Sequence, residues 1–270
     1  METKSPRPSA RRYIEAITAE GRYHFSSDDA RKALGVSPAA AKLALVRLAR
    51  QKLIASPARG FYVVVPPEYR SLGCLPADQF IPALMERAGL RYYAGLLSAA
   101  QYFGAAHHRP QVFQVMLEKA RRPIHCGQIR VSFIVRKNLQ AVPIQTFNTP
   151  RGLIQVSTPE ATAVDLVGYQ RHIGGLDQVA TVLAELAEHL DSEKLAAAAR
   201  TAPVPWAQRL GYLLERAEAA SKAVGLKHYV QEAAREPVLL LPGAPPSSSS
   251  YAQRAADWQI IVNAEVEAET

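Results

Sequence analysis

The side chains that could do chemistry in this chain are mostly cations, and they gather early. Lys42, Arg47, Arg50 and Arg59 lie close together in sequence. A guanidinium can fork onto phosphate or a guanine edge, and an ammonium supplies a point charge, so the chemistry on offer is polyanion binding. Signs of catalysis are weak by comparison. His107 and His108 are adjacent, a worse metal-chelating pair than histidines at i and i+4. His125-Cys126 has no acid at useful spacing to complete a nucleophilic set. Glu160 and Asp165 are five apart, about 140° round a helix, and do not converge for acid–base work. Arg209 and Glu215 do not share a face either. There is no GxxxxGK[ST], no GxGxxG after a strand and no GxSxG. Residues 66–140 hold only Glu68, Asp78, Glu86 and Glu118, too few acids for a metal-dependent nuclease core. The reading is a non-enzyme that needs no cofactor and no metal.

Those early cations sit in FSSDDARKALGVSPAAAKLALVRLARQKLIASPARGFYVVV, residues 25–65. Ser27 can cap a short helix that ends at Gly35. Ser37 and Pro38 then open a second helix, with serine at the cap and proline at the first helical position, running to about Gln51. A turn at Ser56-Pro57 and Gly60 leads into Phe61–Val65, a β-branched and aromatic strand. Helix, tight turn, helix and hairpin is the order of a winged helix-turn-helix. At about 100° per residue, Ala41, Ala44, Leu45 and Leu48 form the packing face of the second helix. Ala39, Lys42, Leu43, Val46, Arg47 and Arg50 lie on the other side. Small and apolar groups beside cations suit a helix in a major groove, where they meet thymine methyls while the cations reach bases or phosphate.

Charge is distributed in the same sense. The 270 residues carry a formal net charge of +8. Residues 1–65 carry +7, residues 66–140 carry +6 and residues 141–270 carry −5. A basic N-terminal half is the electrostatic footprint of a polyanion partner, and the acidic half should face away from it or toward protein. Two cysteines, Cys74 and Cys126, without CxxC fit a reduced compartment rather than a disulfide scaffold. No apolar N-terminal core and no run near 18–20 apolar residues appears, so a cytoplasmic protein with no membrane partner is expected.

Along the chain, residues 1–8 read as a basic arm, and Ser9–Glu20 as an amphipathic helix with Tyr13, Ile14 and Ile17 inward. Leu75–Phe103 reads as helical. Gln111–Leu117, Gln128–Arg136, Val142–Phe147 and Leu153–Val156 read as strands, with Pro150-Arg151-Gly152 turning between the last two. On Gln128–Arg136, Ile129, Val131, Phe133 and Val135 oppose Arg130, Ser132, Ile134 and Arg136. Ser157-Thr158-Pro159-Glu160 opens a helix in which Asp165 is read as bonding a nearby loop or arginine. Amphipathic helices follow from Leu176 to about Arg200 and from Trp206 to about Val224. Residues 242–250, PGAPPSSSS, form a low-complexity loop, and Trp258–Val262 a closing strand. The expected class is α+β: a winged helix-turn-helix with a basic arm over 1–68, then a mixed α/β domain over 69–270. Within that domain a basic sheet part reaches about residue 156, with acidic helices after it.

Four stretches carry a family resemblance: LVRLARQKLIASPARGFYVVVPPEY, VSTPEATAVDLVGY, RLGYLLE and WQIIVN. Each is short, but their order after a winged unit resembles the AbiEi antitoxins of type IV toxin–antitoxin systems. The resemblance implies an N-terminal unit that binds double-stranded promoter DNA with repeats and represses its own operon. It also implies a C-terminal domain that counteracts a nucleotidyltransferase-like toxin, direct contact with that toxin being left open. Family DNA binding carries over to Lys42, Arg47, Arg50 and Arg59. Read with the rest of the chain, Arg11, Arg12, Lys42 and Arg59 are expected on the DNA backbone, Arg47 and Ala39 in the groove, and Ser37 and Arg50 beside them. Arg121, Arg122, Arg130, Arg136 and Lys137 would extend the footprint. The helix start Pro38-Ala39-Ala40-Ala41 has few polar base readers, which leaves a share of recognition to the hairpin, the arm or DNA shape. Dimerisation on DNA is left open. The alternative function is a one-component regulator whose C-terminal domain senses a small ligand.

Overall fold

The computed structural model describes residues 9–105, 111–243 and 253–267. The basic arm, the His107-His108 pair and most of the low-complexity loop lie outside them. Ten helices and twelve strands are described. Helices α1 (Ala10–Ala19), α2 (Ser27–Leu34) and α3 (Pro38–Arg50) pack with β1 (His24–Ser26), β2 (Ile54–Ala58) and β3 (Phe61–Val64), whose sheet order is β1-β3-β2 and antiparallel throughout. Next come α4 (Ile81–Ala88), β4 (Tyr93–Ala94), α5 (Leu96–Ala100), β5 (Phe113–Leu117), β6 (Ile124–Cys126), β7 (Ile129–Val135), β8 (Ile144–Thr149) and β9 (Gly152–Ser157). The C-terminal part holds α6 (Pro159–Gly168), α7 (Leu176–Leu186), α8 (Ser192–Ala199), α9 (Val204–Arg216), α10 (Val224–Ala233), β10 (Val238–Leu239), β11 (Gln253–Ala255) and β12 (Ile260–Val262). The architecture is α+β, a winged helix-turn-helix-like unit followed by a mixed α/β region.

The middle sheet has six strands in the order β6-β7-β5-β4-β9-β8, with β5–β7 and β4–β9 parallel and the other pairs antiparallel. The segment expected to be one helix over Leu75–Phe103 is broken. Gly89, at φ 63°, ends α4 in the left-handed conformation, and Tyr93-Ala94 then enters the centre of this sheet. Periodicity hides so short a strand, because two residues show no alternation. The hairpin of the N-terminal unit also differs in its turn. Ser56-Pro57 sits inside β2 at a register shift, and Arg59-Gly60 makes the turn, with Ala58 opposite Phe61. Proline lacks the N–H a regular ladder needs, and a bulge removes that demand. Leu176–Arg200 is likewise two helices, divided where Asp191 caps α8 by accepting the Glu193 and Lys194 N–H groups.

Packing ties the pieces together. Ile14, Ile17, Phe25, Leu45, Leu48 and Val64 form the core of the N-terminal unit. Strand β3 alternates between two cores. Val64 faces that one, while Phe61, Val63 and then Val65 enter a second core with Leu75, Ile81, Met85 and Val131. Cys74 and Cys126 are both buried there as free thiols. The resemblance motifs meet in the largest core through two tryptophans laid on glycines. Trp206 covers Gly168 and Trp258 covers Gly211, each so closely that a Cβ would overlap the ring. Among the described residues, no helix is long and apolar enough to cross a membrane.

Candidate nucleic-acid interface

The candidate interface starts from how the two helices of the turn are fixed. Helix α2 begins with a reciprocal capping box. Ser26 Oγ accepts the Asp29 N–H at 3.0 Å, and Asp29 Oδ2 accepts the Ser26 N–H at 2.8 Å, one residue before the cap expected from sequence. Burial pushes the Asp29 carboxyl up, but the two Ser26 bonds and nearby Arg22 and Lys32 outweigh it and hold it below the usual range. Gly35, at φ 60°, ends α2. Ser37 Oγ then accepts the Ala40 N–H at 3.3 Å and starts α3, with Pro38 in its first turn. The Ser37 hydroxyl therefore acts first as a cap.

Helix α3 buries Ala41, Leu45 and Leu48 and exposes Ala39, Lys42, Leu43, Val46, Arg47 and Arg50. Leu43 is 60% exposed and Val46 39%, an unusual arrangement for a helix that already has its apolar face covered. Exposed Arg59 stands at the hairpin turn, and it lines a groove of about 320 Å³ with Lys42 of α3 and Arg31 of α2. Three of the basic side chains are thus brought to one surface. Arg11 and Arg12 are exposed on α1, where Arg11 pairs with Glu15 at 3.4 Å.

The middle segment is less uniform. Arg122, Arg130 and Lys137 are exposed, and Arg130 lies opposite His125 in the β6–β7 pair. Arg121 is half-buried with its guanidinium 5.4 Å from the Phe133 ring centroid. Arg136 is a correction to the expected footprint. Its side chain is 3% exposed, with Nε 2.9 Å from Asp165 Oδ1. It also donates to the carbonyls of Lys137 and Thr201 and stands 5.3 Å from the Trp206 ring centroid. A guanidinium satisfied in this way has no donor left at the surface for phosphate. The strand alternation holds in period, and at its end the face of Ile134 and Arg136 meets the largest core while Val135 is exposed. Tyr93 completes the cluster by donating to Asp165 Oδ2 at 2.6 Å. Burial raises the Asp165 carboxyl against the pull of Arg136 and Tyr93, and burial beside Asp165 drives the Tyr93 phenol far up. A lone acid within the apolar run ATAVDLVGY was the available signal for this buried pair.

Residues 93–216 match the family model described as AbiEi antitoxin C-terminal domain. That segment, just under half of the chain, is similar to the AbiEi antitoxins. In AbiEi terms, VSTPEATAVDLVGY supplies α6 with its buried Asp165, and RLGYLLE supplies α9 with Gly211 under Trp258. The family is one of antitoxin domains, not catalytic ones, and among the described residues no group of three or more His, Cys, Asp or Glu could hold a metal ion. The crystal structure of the RV2827C protein from Mycobacterium tuberculosis shares the fold at TM-score 0.64 and 17% identity, over 95% of this chain and 94% of that one. An antigenic nucleotidyltransferase-like protein from Paracoccidioides brasiliensis aligns at TM-score 0.37 and 10% identity, over 56% and 90% of the two chains, too low for a structural argument. No curated protein sequence matches this one.

Two residues that sequence reasoning missed position the N-terminal unit on the AbiEi part. Arg151, in the β8–β9 turn, lays its guanidinium 3.4 Å from the Tyr23 ring centroid and pairs with Glu68 at 3.2 Å. Arg87 of α4 donates to the Gly60 carbonyl at the hairpin turn and lies 5.9 Å from the Phe61 ring centroid. Neither could be read from spacing, since each is a lone arginine whose partners are distant in sequence.

Proposed function

We propose that this chain is the antitoxin of a type IV toxin–antitoxin system that binds its own promoter DNA and represses the operon. It also counteracts a nucleotidyltransferase-like toxin encoded with it. The observation that carries the DNA half is the outward face of α3, where two exposed aliphatics stand among Lys42, Arg47 and Arg50, with Arg59 across the groove. Lys42 and Arg59 hold phosphate, as do Arg11 and Arg12 from α1. Arg47 and Ala39 meet the groove, and Arg122, Arg130 and Lys137 lengthen the backbone contact. The N-terminal unit, residues 1–68, does the reading, and residues 69–270 carry the antitoxin activity.

A mobility shift with the DNA upstream of the gene, at two salt concentrations beside a scrambled control, tests the DNA half. Specific retention that weakens with salt is expected, because phosphate neutralisation releases counterions. Lys42→Ala should weaken operator and control binding alike. No retention at low salt overturns the reading. Co-expression with the neighbouring toxin gene tests the other half, with rescue of growth as the expected result.

A further inference from the structure

The outward face of α3 has an order that its composition alone does not reveal. Its packing face centres on Ala41, Leu45 and Leu48. Directly opposite, at i, i+4, i+7 and i+11, stand Ala39, Leu43, Val46 and Arg50. Lys42 lies to one side of this stripe and Arg47 to the other. The most protruding line of the helix is therefore small and aliphatic, and cations flank it. Helix α3 also contains no Asn, Gln, Asp, Glu, Ser or Thr between Pro38 and Arg50. It lacks the amide that pairs with adenine and the carboxylate that accepts from cytosine. The one major-groove feature that an aliphatic side chain recognises is the 5-methyl group of thymine.

We infer that α3 reads thymine methyls, with Leu43 and Val46 as the specificity-determining side chains. This deepens the DNA-binding reading and rests on it. Lys42 holds phosphate on one side and carries no sequence information, while Arg47 meets the groove on the other. Leu43 and Val46 are three residues apart, a rise of about 4.5 Å along the helix. That is close to the roughly 3.4 Å step between bases on one strand. The pair therefore suits two thymines on adjacent base pairs of each half-site. Contact with thymine methyls would remove these two aliphatics from water, a gain that neither the folded nor the unfolded chain makes alone.

The test uses the full chain and the upstream fragment. Each thymine in the footprinted half-site is replaced in turn by deoxyuridine, which pairs identically and lacks only the methyl. Affinities are measured for the native protein and for Leu43→Ala and Val46→Ala, both exposed and therefore neutral for folding. Two adjacent positions should each lose about fourfold in affinity on methyl removal, the equivalent of one buried carbon. Leu43→Ala should bind the thymine and uracil forms equally at one of these positions, and Val46→Ala at the other. Specific binding with no position sensitive to uracil overturns the methyl reading and leaves DNA binding intact. Sensitivity that persists unchanged in both variants assigns the methyl contact elsewhere and also overturns it. Failure to retain the thymine fragment at low salt removes the DNA-binding reading and this inference with it.

Discussion

Helices α3 and α9 are both thirteen residues long and both rich in leucine, yet they treat those leucines in opposite ways. Helix α9 buries Leu210, Leu213 and Leu214, and buries Gln208 and Arg209 as well. Arg209 Nε donates to the Leu239 carbonyl at 2.9 Å, so even this cation serves the interior. Helix α3 buries Leu45 and Leu48 but leaves Leu43 and Val46 in solvent among free-standing cations. On α9 an arginine is architecture. On α3 a leucine is surface. Residue type alone does not separate the two roles, and what covers the side chain does.

The largest effect that would test this contrast belongs to the buried cluster. Arg136→Ala should lower stability by about 3–5 kcal/mol in urea denaturation, since it strands a buried carboxylate. Should it instead keep its stability and lose operator affinity, Arg136 belongs with the α3 cations after all. Gly211→Ala comes next. The new Cβ must displace the Trp258 ring, at a cost of about 1–3 kcal/mol, followed by tryptophan fluorescence and thermal melting. Ser26→Ala removes the α2 cap and should cost about 1 kcal/mol. Arg59→Ala should leave the melting temperature nearly unchanged and lower the salt slope of operator binding by about one unit. An unchanged slope would mean that the hairpin turn does not reach phosphate.

The smallest effect is a pH dependence. Burial, and then the neighbouring Arg22, lower the His24 pKa from its ordinary 6.5. The unfolded chain therefore binds this proton more readily than the folded one. The contribution of His24 to stability is complete above about pH 6.5 and is lost as pH falls below it. His24→Gln should flatten that part of the stability profile, and an unchanged profile would assign the slope to another group.

Much of the N-terminal unit was legible because local rules and packing agree there. Gly35, Ser37 and Pro38 each announce a helix boundary, and the face of Ala41, Leu45 and Leu48 follows from period alone. The basic residues of α3 were readable for the same reason. Arg136 was not, because whether a strand face meets water or a second layer of helices depends on the tertiary fold. β4 escaped notice because two residues carry no pattern, although they join both halves of the middle sheet. Arg87 and Arg151 were hidden by distance, since cation–aromatic contacts across the chain leave no local trace.

Strand β3, covered on both faces by different cores, has a meaning for descent. An exchange of N-terminal units between related chains by recombination near Glu68 would part Phe61, Val63 and Val65 from the residues that enclose them. It would also separate Arg151 from Tyr23. By this packing, an N-terminal unit and its body should be exchangeable only as a pair. Leu43 and Val46, exposed on α3, can by contrast vary without disturbing the core beneath them.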